Sequence, residues 1–413
     1  MERLFQMLRD SIKEEIRMYL LINRKYHFSV HFLLMILMNF AAIGQEKASN
    51  IDFRGYVKNM STFVEVGDSL WYENLTHNRL NFEWFPNDNF TVYVQVRNRF
   101  IAGDFVKYSP GYAEGIDDNN DYFDFSHNLI DEENYLLNVA LDRFYFEWIK
   151  GNWEVSVGRQ RVNWGINLAW NPNDIFNAYN FFDFDYEERR GSDAMRIIYY
   201  TDVASSWELS GTLARNIDDW VGGGKRTVNK WGYDIQSVGG IANGDFMLGT
   251  GWAGNIGLAG FKGEITALFP IIDTKFNTNY DHMVIASSSI DYSFANSLYL
   301  NGSFLYNSQK ALRPSLGGFT QAATSDFTMR NLSNYKWSAF VQSAYQFTPL
   351  IYGSISVMGF PGTEALFINP AVSMSLTQNL DLGVFGQLFF DEDFQGNWTS
   401  NTTAGFVRLK WSF

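Results

Sequence analysis

Residues with the chemistry of a catalytic base are few in this chain. It has five histidines, and three of them, His77, His127 and His282, lie beyond residue 50. Triad catalysis needs a base within hydrogen-bond reach of a nucleophile and a third group that orients the base. His77 and His127 fall in polar segments, His282 stands at the start of a strand pattern, and none adjoins a Ser or Asp partner motif. The sequence therefore predicts no enzyme and no cofactor.

The acidic stretch 104–134 is a second candidate for chemistry. Asp117, Asn119 and Asp121 have the alternate oxygen spacing of a calcium-binding loop. The turn glycine expected next is Tyr122 instead, and no Glu closes the twelve-residue frame. The chain also has no Cys, which excludes a thiolate metal site. We therefore expect no metal site here and interpret the stretch as a solvated loop of mutually repelling charges.

The elements that must position any functional side chain have the period of β-strands. Residues 79–84, 91–100 and 143–148 each place apolar side chains on one face and polar or charged ones on the other. No segment after the first 44 residues is apolar enough for a membrane helix. In lipid, strands of this kind satisfy their backbone groups only in a closed barrel. The predicted fold class is all-β, a transmembrane antiparallel up-and-down β-barrel.

The alternation is strictest in the final stretch, Thr403–Phe413. Trp411 and Phe413 continue an apolar face, while Arg408 and Lys410 lie on the opposite face. A terminal strand that ends on Phe in this way resembles those of the outer-membrane β-barrels of Gram-negative bacteria. The resemblance implies an outer-membrane location, and it implies that Trp411 and Phe413 form the signal read by the barrel-assembly machinery.

Composition and the start of the chain fit an exported barrel. The chain is 17% aromatic and has 34 Gly, and its mean hydropathy of −0.19 is expected if only alternate residues meet lipid. The apolar run Val30–Gly44 follows Arg24 and Lys25 and is shorter than the roughly 20 residues that span a bilayer. We predict a signal peptide over residues 1–44, with Met18 as an alternative start, and a barrel over 45–413.

Short and long connections alternate between the predicted strands. Tight turns are expected at 86–89, 150–152, 202–205, 254–257, 295–297, 348–350 and 378–379, and other connections near 67–78, 104–134, 164–192, 216–245, 270–280, 308–334, 360–364 and 391–401. Barrels of this class have short periplasmic turns and longer extracellular loops, so both termini should be periplasmic. The alternation gives about 16 strands if residues 230–240 belong to a loop, and 18 if they form two further strands.

A barrel of this size is too wide to be filled by its own wall, so an aqueous channel is the default expectation. The residues expected to line the pore are Arg54, Lys58, Arg79, Arg97, Arg99, Arg143, Glu147, Arg408 and Lys410. The acids expected to face inward are fewer: Asp52, Glu83, Glu147, Glu208 and Glu264. Because the last strand pairs with the first, one wall should be basic. Two interpretations stay open: the charges merely solvate the interior, or they bias passage toward anions.

The most distinctive sequence lies between Gly158 and Gly191, with GRQRVNWG at 158–165 and NPNDIFN at 171–177. These motifs resemble those of porin-like barrels related to the alginate-export and phosphate-selective porins. Proline favours a turn or extended backbone before it, and Asn and Asp side chains cap turns. We expect a constriction loop that folds inward and contains Asn171, Pro172, Asp174, Phe176 and Asn177. The alternative is that its aromatic cluster rests on the outer rim of the barrel.

Two further arginines in this stretch, Arg159 and Arg161, share the register of Val155 and Val157. That register predicts that they face lipid or its phosphates unless Gly158 marks a β-bulge. Both alternatives are open at this point.

The function predicted from these patterns is an outer-membrane, porin-like channel for passive diffusion of small hydrophilic solutes, with anions as the finer hypothesis. The alternative is an outer-membrane barrel that exports or anchors surface polysaccharide. The expected partners are outer-membrane lipid and lipopolysaccharide, the barrel-assembly machinery and small solutes. A net charge of −13 disfavours nucleic acid. The length leaves no room for the plug and extra strands of an energised receptor.

Overall fold

A computed structural model of the chain describes residues 50–66, 69–117, 121–177, 191–216, 219–271, 281–310, 328–363, 365–392 and 398–413. The signal peptide predicted over residues 1–44 and the aromatic stretch 178–190 lie outside these ranges. No helix among the described residues is long and apolar enough to cross a bilayer.

The described chain is almost entirely antiparallel strand. The strands are Ile51–Val66 (β1), Ser69–Asn87 (β2), Phe90–Gly103 (β3), Ser126–Glu132 (β4), Tyr135–Lys150 (β5), Trp153–Gln160 (β6), Ser192–Asp202 (β7), Ser205–Thr212 (β8), Val221–Lys230 (β9), Tyr233–Ala242 (β10), Asp245–Ile256 (β11), Ala259–Pro270 (β12), Met283–Ser293 (β13), Leu298–Asn307 (β14), Trp337–Thr348 (β15), Ile351–Gly359 (β16), Leu366–Thr377 (β17), Leu380–Glu392 (β18) and Trp398–Ser412 (β19). Short helices cover Asp104–Tyr108 (α1) and Tyr112–Asp117 (α2), and a 3₁₀-helix covers Met329–Asn331.

Eighteen of these strands close into a ring. Each of them pairs with its neighbour in sequence, except that β3 pairs with β5, and β19 pairs with β1 to complete the circle. The closing register places Lys58 opposite Lys410. The additional strand, β4, pairs with the part of β5 that is nearer its start. Closure leaves no strand of the ring with an unpaired edge, which is the condition for strands in a bilayer.

The count of 18 confirms the alternative considered from the sequence and corrects the preferred 16. Residues 230–240 are not a loop, because β9 and β10 form a hairpin through Trp231 and Gly232, both at positive φ. A second tight turn at Asn243 and Gly244, also at positive φ, leads into β11. Asn-Gly between alternating segments is a strong hairpin signal, and it was available in the sequence. Residues 69–78 are likewise strand, since β2 begins at Ser69.

Glycine explains why β9 and β10 do not look like strands in the sequence. Gly223 pairs with Gly240 and Gly224 with Gly239, although glycine has a low strand propensity. A Cβ added at Gly240 would lie 2.4 Å from the carbonyl oxygen of Gly222. At the Gly223–Gly240 pair the two backbones therefore approach too closely for a side chain.

One face of the ring is an apolar belt. On most strands the outward register carries exposed apolar side chains, among them Val157, Leu209, Leu248, Ile265, Ile290, Val341, Ile355, Val372, Val384 and Val407. The alternate register is buried and largely polar toward the middle of the strands. Alternation of this kind around a closed ring is the pattern of a barrel whose outer surface meets lipid.

The two ends of the barrel differ in their connections. Residues 88–89, 151–152, 203–204, 231–232, 257–258, 294–297, 349–350 and 378–379 join strands at one end, which we call the turn end. The other end, called the loop end, carries the long connections that follow β3, β6, β12 and β14, together with short ones such as 243–244. Because the ring has an even number of strands, β1 begins and β19 finishes at the turn end.

We predict that Gly240→Ala destabilises the folded barrel, because the new methyl group must displace the backbone of β9. Overpacking of this kind costs about 1–3 kcal/mol. A urea titration measures the loss of stability, with the folded fraction at each urea concentration read from the band of folded barrel on an unheated gel. Gly405→Ala is the matched control, since a Cβ there meets nothing within 4 Å. Equal midpoints for the two variants would contradict the prediction.

Candidate functional site

The inward register brings several of the predicted basic residues into one continuous row. Lys410 lies opposite Lys58, Lys58 opposite His77, and His77 opposite Arg99, across β19, β1, β2 and β3. Directly opposed residues on antiparallel strands have Cα atoms about 4.5–5.5 Å apart. Lys410 and Lys58 are directly opposed like charges, which destabilise a sheet, whereas His77 separates Lys58 from Arg99. We call Lys410, Lys58, His77 and Arg99 the basic row.

A second pair of inward arginines lies one step nearer the turn end. Arg79 is opposite Arg97, and both are buried. Asp142 bridges them: it forms a close ion pair with Arg79 and lies 3.3 Å from Arg97. Arg79 also donates to Gln95 at 2.7 Å. These two arginines are therefore partly neutralised, unlike the arrangement expected from the sequence.

Asp142 was missed because strict alternation assigns it to the outward face. The register between β3 and β5 shifts at this point, where Gln95 faces Arg143 and Val96 faces Leu141. The shift is a β-bulge, and it inserts Asp142 as an extra residue. A carboxylate on an otherwise apolar register was the signal that could have revealed the bulge.

The remaining predicted pore residues lie at different places on the same wall. Arg54, near the turn end, pairs with Asp52 at 2.8 Å and Glu83 at 2.7 Å. Glu147 accepts a hydrogen bond from Tyr93 at 3.2 Å, and Arg143 is half-buried.

Two cations of β19 rest on aromatic rings. The Arg408 guanidinium is 4.8 Å from the ring centre of Phe385, and the Lys410 ammonium is 4.4 Å from that of Tyr56. Cation–π contacts hold a charge in place without neutralising it.

The GRQ…NPNDIFN region forms an inserted segment, residues 161–177, that leaves β6 after Gln160. Asn171, Pro172 and Asp174 are buried, while Phe176 and Asn177 are half-buried. Its partners are inward residues of β8 and of β10 to β13, so the segment packs against that side of the interior. The predicted constriction residues thus come together on the inner wall.

Glu264 on β12 is the main attachment point of the inserted segment. Its carboxylate accepts backbone N–H groups from Ile166 at 2.5 Å, Asn173 at 2.8 Å and Asn167 at 3.4 Å. Glu264 is fully buried. Its two oxygens accept from Ile166 and Asn173 respectively, so this one side chain holds two parts of the segment against the wall.

Side-chain amides extend the attachment to the neighbouring strands. Asn173 accepts from Thr266 at 2.8 Å and donates to the Thr250 carbonyl at 3.1 Å. Asn167 donates to Ser287 and accepts from Ser289, both at 2.8 Å. These wall residues carried no motif in the sequence.

Trp164 fixes the beginning of the segment. Its indole N–H donates to Glu208 at 2.8 Å, and its carbonyl accepts from Gln236 at 2.9 Å. Glu208 in turn pairs with Arg196 and Lys225, each at 3.0 Å. The indole is therefore bound to an acid that is already held by two cations.

Several predicted constriction residues stabilise the segment itself. Asn171 accepts from the Asn167 backbone at 2.7 Å, and Asn177 donates to the Val162 carbonyl at 3.1 Å. Asp174 accepts the Trp164 backbone N–H at 3.4 Å. Their side chains act as the turn caps that the sequence indicated.

An apolar cluster occupies the loop end of the interior on the side away from the basic row. Its buried members include Trp170, Ile175, Met247, Leu268, Ile285, Leu305, Phe340 and Phe367. A second inserted stretch near the 3₁₀-helix joins it, since Met329 and Leu332 are buried in the cluster. Arg330 anchors this stretch by two bonds to Asp245 at 2.6 and 2.7 Å. The expectation of a polar inner face thus fails at the loop end of these strands.

The helices after β3 pack over the loop end of the basic side. Arg99 donates to the Ile116 carbonyl at 2.7 Å and to Asn138 at 2.9 Å. Tyr112 donates to Glu73 at 2.7 Å, and burial together with the Glu73 charge raises the pKa of Tyr112, so the phenol stays protonated. Asp117, one of the calcium-like positions, accepts from Asn138 at 3.2 Å.

Arg159 is buried in an ion pair instead of facing lipid. It makes two bonds of 2.9 Å to Asp193 and lies 3.5 Å from Asp121. The β5–β6 register shows no shift at Gly158, so no bulge is present there. Gly158 does have a φ of +124°, and a Cβ at that position would meet the Phe144 carbonyl at 2.3 Å.

Searches with family models and among curated proteins give no match. Solved structures do resemble the fold. OccK11 (OpdR) of Pseudomonas aeruginosa matches at 9% identity and a TM-score of 0.56, covering 88% of this chain and 96% of its own. OccAB2 of Acinetobacter baumannii matches at 7% identity and 0.55, covering 88% and 98%. The outer membrane protein opdK of P. aeruginosa matches at 7% and 0.53, covering 88% and 99%. At these identities the likeness shows the fold alone.

We predict that Glu264→Gln loosens the inserted segment while the barrel stays folded. In the amide one of the two acceptor oxygens becomes an N–H donor, so the three backbone N–H groups lose an acceptor, and a buried donor left unsatisfied costs about 1–3 kcal/mol. Hydrogen exchange of residues 162–175, measured by mass spectrometry, should quicken about tenfold or more. Glu83→Gln, an inward acid bound to Arg54 instead, is the control. Unchanged exchange in both variants would contradict the role of Glu264.

Proposed function

We propose that the protein is an outer-membrane channel for passive diffusion of small hydrophilic solutes. The observation that carries the proposal is a closed ring of 18 strands with an apolar outer belt and an inner wall rich in charge. A ring of this width leaves space between its walls. The periplasm would lie at the turn end, where β1 begins and β19 finishes.

The charges themselves favour a water-filled interior. Lys58 and Arg97 face inward and are buried, whereas Arg99, Arg408 and Lys410 face inward and are half-buried. Taking a charge fully out of water costs several kcal/mol. Three inward cations that stay partly accessible are therefore more compatible with a water-filled path than with a dry core.

The attachment of the two inserted stretches determines where solutes pass. Segment 161–177 is bound to β8 and β10–β13 through Glu208, Gln236 and Glu264, and Arg330 is bound to β11 through Asp245. The side formed by β19, β1, β2 and β3 keeps the basic row. We therefore propose an off-centre path along the basic row, narrowed by segment 161–177, with a preference for anions.

Conductance of the purified barrel in planar lipid bilayers tests the channel. Stable single-channel steps in salt solution are expected. Membranes that take up the protein without conducting would reject the channel and favour the alternative of a barrel that anchors or exports surface polysaccharide.

We predict that Lys58→Gln combined with Arg99→Gln shifts ion selectivity toward cations. Both side chains belong to the basic row, and within the roughly 8 Å screening length of physiological salt their field reaches a passing ion. Arg97 is left unchanged because Asp142 is its partner. Reversal potentials in a salt gradient measure the shift, and Lys150→Gln, an exposed charge at a turn, should leave them unchanged. Cation preference in the unmodified protein would refute the anionic hypothesis.

We also propose that Trp411 and Phe413 act as the assembly signal. Phe413→Asp should lower the amount of barrel in the outer membrane severalfold and leave chain in the periplasm, because the terminal apolar face is interrupted. Quantitative blotting of membrane fractions measures this, with Ser412→Ala as the control. Equal surface abundance of Phe413→Asp and the unmodified protein would exclude the signal.

A further inference from the structure

Arg226 on β9 is a cation on the lipid-facing side of the barrel. Its neighbour Lys225 points inward, where its ammonium lies 3.0 Å from Glu208. Arg226 therefore points outward, and its partner across the pair is Trp207. Trp207 and Leu209, on the same outward register of β8, are 56% and 62% exposed. A charge in this position needs an explanation, because the outer belt around it is apolar.

The depth of Arg226 is indicated by the aromatic residues beside it. Trp153 lies opposite Tyr199, Tyr199 opposite Trp207, and Trp207 opposite Arg226, so the four side chains form one outward row. Trp and Tyr concentrate where a bilayer meets water. Arg226 is also four residues from the turn after Lys230, a rise of about 13 Å. Both observations place it near the headgroups of the leaflet at the turn end.

The guanidinium is held in place without a carboxylate. It stacks 4.9 Å from the ring centre of Trp207 and donates to the Thr201 hydroxyl at 3.0 Å. Among the residues that the structure describes, no acid lies within ion-pair distance of Arg226. A fixed arginine with unused donors on a membrane surface is suited to a planar, multidentate anion such as phosphate.

The next outward position supplies a hydroxyl group. Ser237 on β10 lies directly opposite Arg226 and is exposed. Lys230, on the same outward register of β9, adds a second cation nearer the water and lies 4.5 Å from the ring centre of Trp231. Two cations, a hydroxyl and two indoles thus lie close together on β8, on β9, on β10 and in the turn between β9 and β10.

We propose that Arg226, Ser237 and Trp207 bind the phosphate of a phospholipid at the turn end of the barrel. Arg226 and Ser237 donate to the phosphate oxygens, and the Trp207 ring packs against the glycerol and the upper acyl chain. Lys230 favours lipids that carry net negative charge. The site faces away from the interior and so is independent of the proposed channel.

Native mass spectrometry of the full barrel in detergent tests this site. With added phosphatidylglycerol, Arg226→Gln should retain about tenfold less lipid than the unmodified protein, as expected for loss of a charge-assisted bond. Lys150→Gln removes one exposed charge at another turn and should retain lipid normally. If Arg226→Gln fails to fold, Ser237→Ala should show a smaller loss in a folded barrel.

A second arm separates lipid from soluble phosphate. Inorganic phosphate at the same concentration should neither remain bound nor displace phosphatidylglycerol. Displacement by inorganic phosphate would overturn the phospholipid assignment in favour of a site for soluble anions. Equal retention of phosphatidylglycerol by the unmodified protein and by folded Arg226→Gln would overturn the site altogether. Conductance and selectivity should be the same in Arg226→Gln and the unmodified protein, so this test and the channel tests fail separately.

Discussion

Closure of the ring is the constraint on which the other features depend. The pairing of β19 with β1 gives every strand of the ring two neighbours. For strands in an apolar environment, only such closure leaves no backbone group unpaired. Once the ring is closed, alternation assigns each side chain to the inside or the outside. The glycine-rich hairpin of β9 and β10 shows how strong the constraint is, because residues with poor strand propensity are ordered there as strands.

The interior combines two halves with different physical roles. The strands β8 and β10–β13 hold the inserted segment through buried acids and amides, with Glu264 as the central acceptor. The strands β19, β1, β2 and β3 carry the basic row. The half formed by β8 and β10–β13 is covered by segment 161–177, whereas the half formed by β19, β1, β2 and β3 carries basic side chains on the barrel wall. This division makes the interior asymmetric, although the strands around it are regular.

The sequence predicts the fold class well because alternation and turn chemistry are local properties. Turns such as Asp202–Ser205 and Gln378–Asn379 follow from two or three residues, and the closing strand from its own period. The strand count required more, since Gly222–Gly224 hide β9 from a hydrophobic pattern. Asp142 depends on a one-residue bulge that no periodic rule contains. Glu264 looks like any inward acid until the fold brings it to Ile166, and the apolar cluster around Phe340 appears only when separate strands are placed together.

The attachment of the inserted segment also orders events during folding. Ile166 and its acceptor Glu264 are 98 residues apart in sequence, and the contacts of Asn167 with Ser287 and Ser289 span 120 and 122 residues. Contacts of such long range form late, since the intervening chain must be arranged first. The segment therefore lacks its main attachment point, Glu264, and the partners of Asn167 until β12 and β13 are in place. Docking of the segment onto this wall is consequently among the last steps in the formation of the folded barrel.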